Sequence, residues 1–298
     1  ILEWTELVVE TTLEASDAVV EILMQNGAGG VQFDDENGND DLKIITYFPE
    51  SKPVIELSRD LKQKVLGLAD FGLNPGKANV FIKTNDDASW VDAWKKYYHP
   101  VRVTRYLTIV PSWEEYVPQS ADEQVILLDP GKVFGTGTHP TTRLALLGLE
   151  SAIRGGEKMI DVGTGSGVLS IAACKLGAKE ALAYDVDDEA IKACDVNLKL
   201  NPEERSKIHV ATNDLLNGVD EKADLICANI LAEIIVPLIP QAFNCLNDGG
   251  IFITSGIISD KADLIEEKLQ NEGFVIDQIS RMKDWFSIVA HKPGEGEE

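Results

Sequence analysis

The sequence predicts an α/β protein: a mostly parallel sheet closed by a C-terminal antiparallel hairpin, preceded by a small α+β domain. Three observations carry this. From about residue 101 onward strands alternate with amphipathic helices, the pattern of a parallel sheet with helices on its faces. The first 85 residues run strand, helix, strand, strand, helix, strand, which is the ferredoxin-like order. The last two strands, residues 274–281 and Trp285–His291, have no helix between them and read as a hairpin. A length of 298 residues agrees with two domains at about 150 residues each.

In the first 85 residues, Trp4–Thr11 (WTELVVET) alternates apolar and polar as a half-buried strand does. Ser16 is placed as the cap of a helix over 17–26, in which Val19, Val20, Leu23 and Met24 recur at helical spacing before Gly27. Residues 31–35 and 42–48 read as two strands around the acidic turn 34–41. A second amphipathic helix spans 54–69 and is closed by Gly72 and Pro75, and 80–84 (VFIKT) is the fourth strand. Residues 86–100 (DDASWVDAWKKYYHP) form a linking helix with Trp90, Trp94, Tyr97 and Tyr98 on one face. That stripe either packs a joint between domains or lines the mouth of a site there.

In residues 101–298 the elements follow in order: strand 101–110, strand 158–162 (KMIDV), a helix ending at Leu176, strand 181–186 and helix 188–197. Strands 208–211, 223–228 and 251–255 continue the sheet, with helices at 230–246 and 262–272.

Composition narrows the function. Lys and Arg number 27 against 50 Asp and Glu, a formal charge of −23, which disfavours nonspecific binding to nucleic acid or to anionic lipid. The four cysteines form no CxxC pair and sit in apolar stretches, so they read as buried thiols of a reducing compartment, with no metal site. No apolar run reaches membrane-spanning length and no charged-then-apolar leader opens the chain, which together predict a cytoplasmic protein.

The chemistry concentrates in four places. DVGTGSG, 161–167, lies between a strand and a helix, and Gly163, Gly165 and Gly167 allow backbone to approach a ligand closely. Its G-x-G-x-G spacing differs from the G-x-G-x-x-G of dinucleotide enzymes. Asp185 ends the next strand, where a carboxylate takes the two ribose hydroxyls of an adenosine; the structural alternative is a helix N-cap. VFGTGTHPTT, 133–142, precedes a helix that Pro140 starts, so Thr142 falls in the first turn, where a ligand carboxylate is stabilised. Asn229 in CANIL, 227–231, sits at the carboxyl end of a later strand and offers a donor and an acceptor.

On WVDAWKKYYHP, LDPGKVFGTGTHPTT, IDVGTGSGVLSIAACKLGA, YDVD and ANILA, the whole chain resembles the bacterial ribosomal protein L-eleven methyltransferase family (PrmA). The GTGTHPTT block is specific to that family; the glycine loop is shared by most class I methyltransferases, whose fold is Rossmann-like with a mostly parallel seven-stranded sheet. The resemblance implies S-adenosylmethionine as cofactor, with contacts at Thr142, Gly163, Asp185 and Asn229, and Gly165 inside the same loop. It also implies that residues 1–85 recognise a basic large-subunit ribosomal protein whose amino groups are methylated. After Asn229 comes Ile-Leu-Ala rather than Pro-Pro-Tyr, which argues against DNA or release-factor methylation. No catalytic residue is named. His139 is either a base or a loop histidine bonding its own turn, and His99, His209 and His291 have no partners by spacing. A nicotinamide-dependent oxidoreductase and a non-catalytic binding protein are the alternatives; the loop spacing and the terminal hairpin disfavour the first, the intact motifs the second.

Overall fold

The computed structural model describes residues 4–28, 31–34, 42–49, 54–83, 99–129, 137, 139–294 and 296. It divides into two compact units, Ile1–Tyr98 and His99–Glu298.

The first unit runs β1 (Trp4–Thr11), α1 (Ser16–Gln25), β2 (Val31–Asp34), β3 (Leu42–Pro49), α2 (Val54–Leu66) and β4 (Val80–Lys83). The sheet order is β2-β3-β1-β4 with every neighbouring pair antiparallel, the ferredoxin-like arrangement. Period-two alternation sends Leu7 and Val9 of β1 and Ile44 and Phe48 of β3 into a core shared with Val19 and Leu23 of α1 and Leu61 and Val65 of α2.

Two local expectations are corrected. Ser16 is not the cap of α1: the cap position is Ala15, and the Ser16 hydroxyl donates to the Leu13 carbonyl. Thr12 takes over, accepting the Ala15 N–H while donating to the Asn74 carbonyl, a partner 62 residues away. The second helix stops at Leu66; Gly67–Phe71 tighten into a 3-10 turn that Gly72 ends at φ 79°. The acidic turn over 35–41, residue 84 and the linking helix up to residue 98 lie outside the described residues.

The second unit holds β5 (Val101–Arg102), β6 (Leu107–Pro111), β7 (Gln124–Leu128), α3 (Pro140–Ala152), β8 (Lys158–Val162), α4 (Val168–Lys175), β9 (Glu180–Asp185), α5 (Asp188–Leu200), α6 (Pro202–Arg205) and β10 (Ile208–Thr212). It continues with β11 (Ala223–Asn229), α7 (Ala232–Cys245), β12 (Leu246–Ile258), α8 (Ala262–Glu272), β13 (Val275–Met282) and β14 (Trp285–His291). The main sheet has the order β10-β9-β8-β11-β12-β14-β13, parallel except that β14 runs antiparallel to both its neighbours.

Both faces of this sheet are buried, as a parallel sheet requires. Met159, Leu225, Cys227 and Ile253 face a core built with α3, α4 and α5. Their neighbours Ile160, Ile226, Ala228 and Phe252 face the opposite core, with α7 and α8. All four cysteines are free and buried, and burial pushes the Cys174 thiol up to about 11 and that of Cys194 to about 12. Among the described residues no helix is long and apolar enough to cross a membrane.

The single strand expected over 101–110 is two strands, β5 and β6, in a separate three-stranded sheet with the unexpected β7. Glu150 of α3 causes the break, accepting the Thr104 hydroxyl and the N–H groups of Arg105 and Tyr106. The helix expected from residue 230 starts at Ala232, because the Ile230 N–H still bonds across to the Ser255 carbonyl at 3.1 Å.

Candidate active site

The strand order reverses where β8 has β9 on one side and β11 on the other, and the loops beyond the carboxyl ends of these strands form the crevice where open α/β sheets bind ligands. Three of the four motif regions end there: the glycine loop follows β8, Asp185 closes β9 and Asn229 closes β11.

The glycine loop turns back on itself through left-handed backbone at Gly163 (φ 74°), Gly165 (φ 53°) and Gly167 (φ 81°). The N–H groups of Gly163 and Thr164 both donate to the Tyr184 carbonyl, which ties the loop to β9. Ligand approach is not the only reason for these glycines. A Cβ at Gly163 would lie 2.4 Å from Cγ2 of Ile230, and one at Gly167 would lie 2.6 Å from Sγ of Cys194. Asp161, wholly buried, accepts the hydroxyls of Thr164 (2.8 Å) and Ser170 (2.7 Å) on Oδ2, bracing the loop and the first turn of α4. Burial raises its carboxyl to about 6, against the pull of those hydroxyls and with the Asp185 carboxylate adding to the rise. In the sequence Asp161 reads only as the start of the motif; the hydroxyls three and nine residues on are the available signal.

Asp185 does not cap a helix. Asp187 is the N-cap of α5, accepting the Glu189 N–H. The Asp185 carboxylate instead accepts the Gly165 N–H on Oδ2 at 2.9 Å and the Asp187 N–H on Oδ1 at 3.0 Å. A carboxylate has about four acceptor positions, so two backbone bonds orient it and leave capacity for hydroxyl donors.

Thr142 is wholly buried in the first turn of α3. Its hydroxyl accepts from the Asn229 side-chain nitrogen at 3.3 Å, joining residues 87 apart in sequence. A second staple lies beside it, where the Ser255 hydroxyl donates to the Thr141 carbonyl at 2.8 Å. The first turns of α3 and α4 carry no acidic side chain, so their positive ends are not compensated from within the helices. Of the GTGTHPTT block, Gly137 and 139–142 are described.

His139 is the N-cap of α3. Its Nδ1 accepts the Thr141 N–H at 3.3 Å and lies 2.8 Å from the Thr141 hydroxyl, while the ring packs edge-on against Trp285 at 5.2 Å. Of the two readings of this residue, the structure bears out the loop histidine bonding its own turn. Two other histidines do have partners: His291 bonds Asp277 across the β13–β14 hairpin at 2.8 Å, and His99 pairs with Glu114 at 3.4 Å. Spacing missed them because a strand pairing and a loop fold-back bring them together.

The assembled donor set is a carboxylate at a strand end, a glycine loop of left-handed backbone, a hydroxyl at a helix start and a carboxamide. This set fits an adenosine joined to an amino acid: acceptors for ribose hydroxyls at one end, a positive helix terminus for a carboxylate at the other. Among the described residues no group of three or more His, Cys, Asp or Glu could hold a metal ion.

The sequence profile described as ribosomal protein L11 methyltransferase (PrmA) matches residues 3–293. The ribosomal protein L11 methyltransferase of Limosilactobacillus fermentum is 51% identical over 320 residues, covering 99% of this chain and all of that protein. That of Enterococcus faecalis is 48% identical over 315 residues, with 99% and 100% covered. The crystal structure of a ribosomal protein L11 methylase from Lactobacillus delbrueckii subsp. bulgaricus superposes with a TM-score of 0.62 at 45% identity, over 66% of this chain and 100% of that one.

Proposed function

From the premise that this chain belongs to the ribosomal protein L11 methyltransferase family and is a methyltransferase, we propose that it transfers methyl groups from S-adenosylmethionine to amino groups of ribosomal protein L11 in the cytoplasm. One observation supports the cofactor reading: the Asp185 carboxylate accepts the Gly165 N–H at the switch point, so the proposed ribose acceptor and the glycine loop are joined in one seat. In this reading Asp185 takes the ribose hydroxyls and Gly163 and Gly165 give close backbone approach. Thr142 and Asn229 hold the amino-acid end beside the start of α3.

The cofactor, when bound, supplies a methyl group made electrophilic by a sulfonium. The chain's task is to hold an amine lone pair in line with that methyl, and this positioning supplies most of the acceleration. The amine must first lose a proton. Neutralising a lysine at pH 7 costs about 4.6 kcal/mol, against about 1 kcal/mol for an α-amine. A chain of net charge −23 attracts a basic substrate, and its acidic field makes that proton harder to remove. A narrow, partly apolar approach would resolve the conflict: it would desolvate the ammonium, and both that and a neighbouring cationic sulfur would favour the neutral amine. His139 caps α3 through Nδ1, and no general base is assigned.

Residues 1–85 are proposed as the substrate-recognition domain and 101–298 as the methyl-transfer domain. The test is transfer of tritiated methyl from S-adenosylmethionine to purified ribosomal protein L11. Label in the protein fraction is expected from the intact chain, and its absence overturns the reading.

A further inference from the structure

Asn197 is 1% exposed and lies on the inner face of α5 with Ala190 and Cys194, where an apolar side chain would be the ordinary occupant. A polar side chain taken out of water costs free energy unless its donors and acceptors are met, so its partners define what it is for. Its Nδ2 donates to the Ser166 carbonyl in the glycine loop at 2.9 Å. Its Oδ1 accepts the N–H of Asp129 at 2.8 Å, just past the end of β7. One carboxamide thus joins the loop after β8 to the residue from which the PGKVFGTGTHPTT segment departs.

One turn later Asn201, also buried, works differently. Its Oδ1 accepts the Leu127 N–H at 3.2 Å, and its Nδ2 donates to the carbonyls of Leu127 and Asn197 at 2.8 Å. The two asparagines serve backbone groups of alternate residues, 127 and 129, as a neighbouring strand would. Only Asn197 reaches the glycine loop.

We infer that Asn197 is a positioning residue for the cofactor seat, its single carboxamide holding the glycine loop at Ser166 and the end of β7 at Asp129 in fixed relation. The inference deepens the reading of the glycine loop as the S-adenosylmethionine seat and rests on it. The residue type is demanding: donor and acceptor must point in opposite directions from one planar group. A carboxylate there would keep the Asp129 bond and set an oxygen against the Ser166 carbonyl, undoing one arm alone.

Asn197→Asp and Asn201→Asp in the full chain separate this role from simple support of α5. Titration with S-adenosylhomocysteine is expected to show about tenfold weaker binding for Asn197→Asp, the effect of one buried hydrogen bond lost. The KM for S-adenosylmethionine should rise in step, with kcat at saturation staying within about threefold. Asn201→Asp should lower the melting temperature and leave that affinity within about twofold of the parent. Amide exchange at residues 165–168 without ligand should quicken in Asn197→Asp and not in Asn201→Asp. Unchanged affinity and exchange in Asn197→Asp, or equal changes in both variants, overturn the inference. Failure of the parent chain to bind overturns the cofactor reading instead, while the exchange comparison still decides the positioning role. Asn197→Ser is read the same way if the aspartate variant does not fold.

Discussion

Asp161 and Asp185 are two carboxylates of one site with opposite environments. Asp161 is wholly buried, and its carboxyl is raised to about 6 chiefly by burial. The folded state therefore holds that proton more tightly than the unfolded chain. The resulting stabilisation is complete below about pH 4 and is lost as the pH rises through about 6, an effect on the order of 3 kcal/mol. In Asp161→Asn this slope should vanish, so melting temperatures followed between pH 4 and 6.5 should diverge from those of the parent; parallel curves would count against the assignment. Asp185, partly exposed, keeps acceptor capacity for a ligand after its two backbone bonds. Asp185→Ala is expected to weaken S-adenosylhomocysteine binding by about 100-fold, the loss of hydrogen bonds to a charged acceptor, while the chain stays folded by circular dichroism. Unchanged affinity in calorimetry would remove Asp185 from the seat.

At the scale of elements, the start of α3 and the glycine loop are held by contacts that tolerate little change. His139 caps α3 and packs on Trp285. His139→Ala should cost about 2 kcal/mol, a lost cap plus a lost ring contact, read as a fall of several degrees in melting temperature. If the ring serves the helix and not the substrate, the pH–rate profile should keep its shape; loss of one limb would restore His139 as a base. Gly163→Ala should be worse, by about 2–4 kcal/mol, since it combines left-handed backbone with a Cβ 2.4 Å from Ile230. Trimming Ile230 to alanine in the same chain should recover the packing part of that loss and leave the backbone part. A third device is Glu123, which accepts hydroxyls from Thr108 and Tyr116 and the Gln119 N–H, so that its carboxyl is held down at about 2. Its contribution is present above the usual carboxylate range near 4.5 and is lost as the pH falls towards 2.

At the scale of the whole molecule, each unit has its own buried core, one in the first and two on opposite faces of the sheet in the second. A chain limited to 101–298 is expected to retain cofactor binding in calorimetry and to lose methylation of ribosomal protein L11. Full activity of that fragment would end the proposed recognition role of residues 1–85. The −23 charge belongs to this scale too: capture of a basic substrate should weaken with added salt. A salt-independent KM for the protein substrate would disprove electrostatic capture.

What the sequence determined by itself was the order and type of nearly every element, because hydrophobic period and punctuating glycines and prolines are local properties. Trp4–Thr11, Ala262–Glu272 and Trp285–His291 have the ends the residues imply. The glycine loop, Asp185, Thr142 and Asn229 were legible as well, since each follows or opens an element at a recognisable position. Tertiary structure alone decided where those local signals compete. Glu150 broke one apolar run into two strands, Thr12 displaced Ser16 at a helix start, and Ser255 held Ile230 out of α7. Asn197 was invisible for the same reason: a polar residue inside a helix acquires meaning from groups 31 and 68 positions away, and only the folded chain brings them within hydrogen-bonding distance.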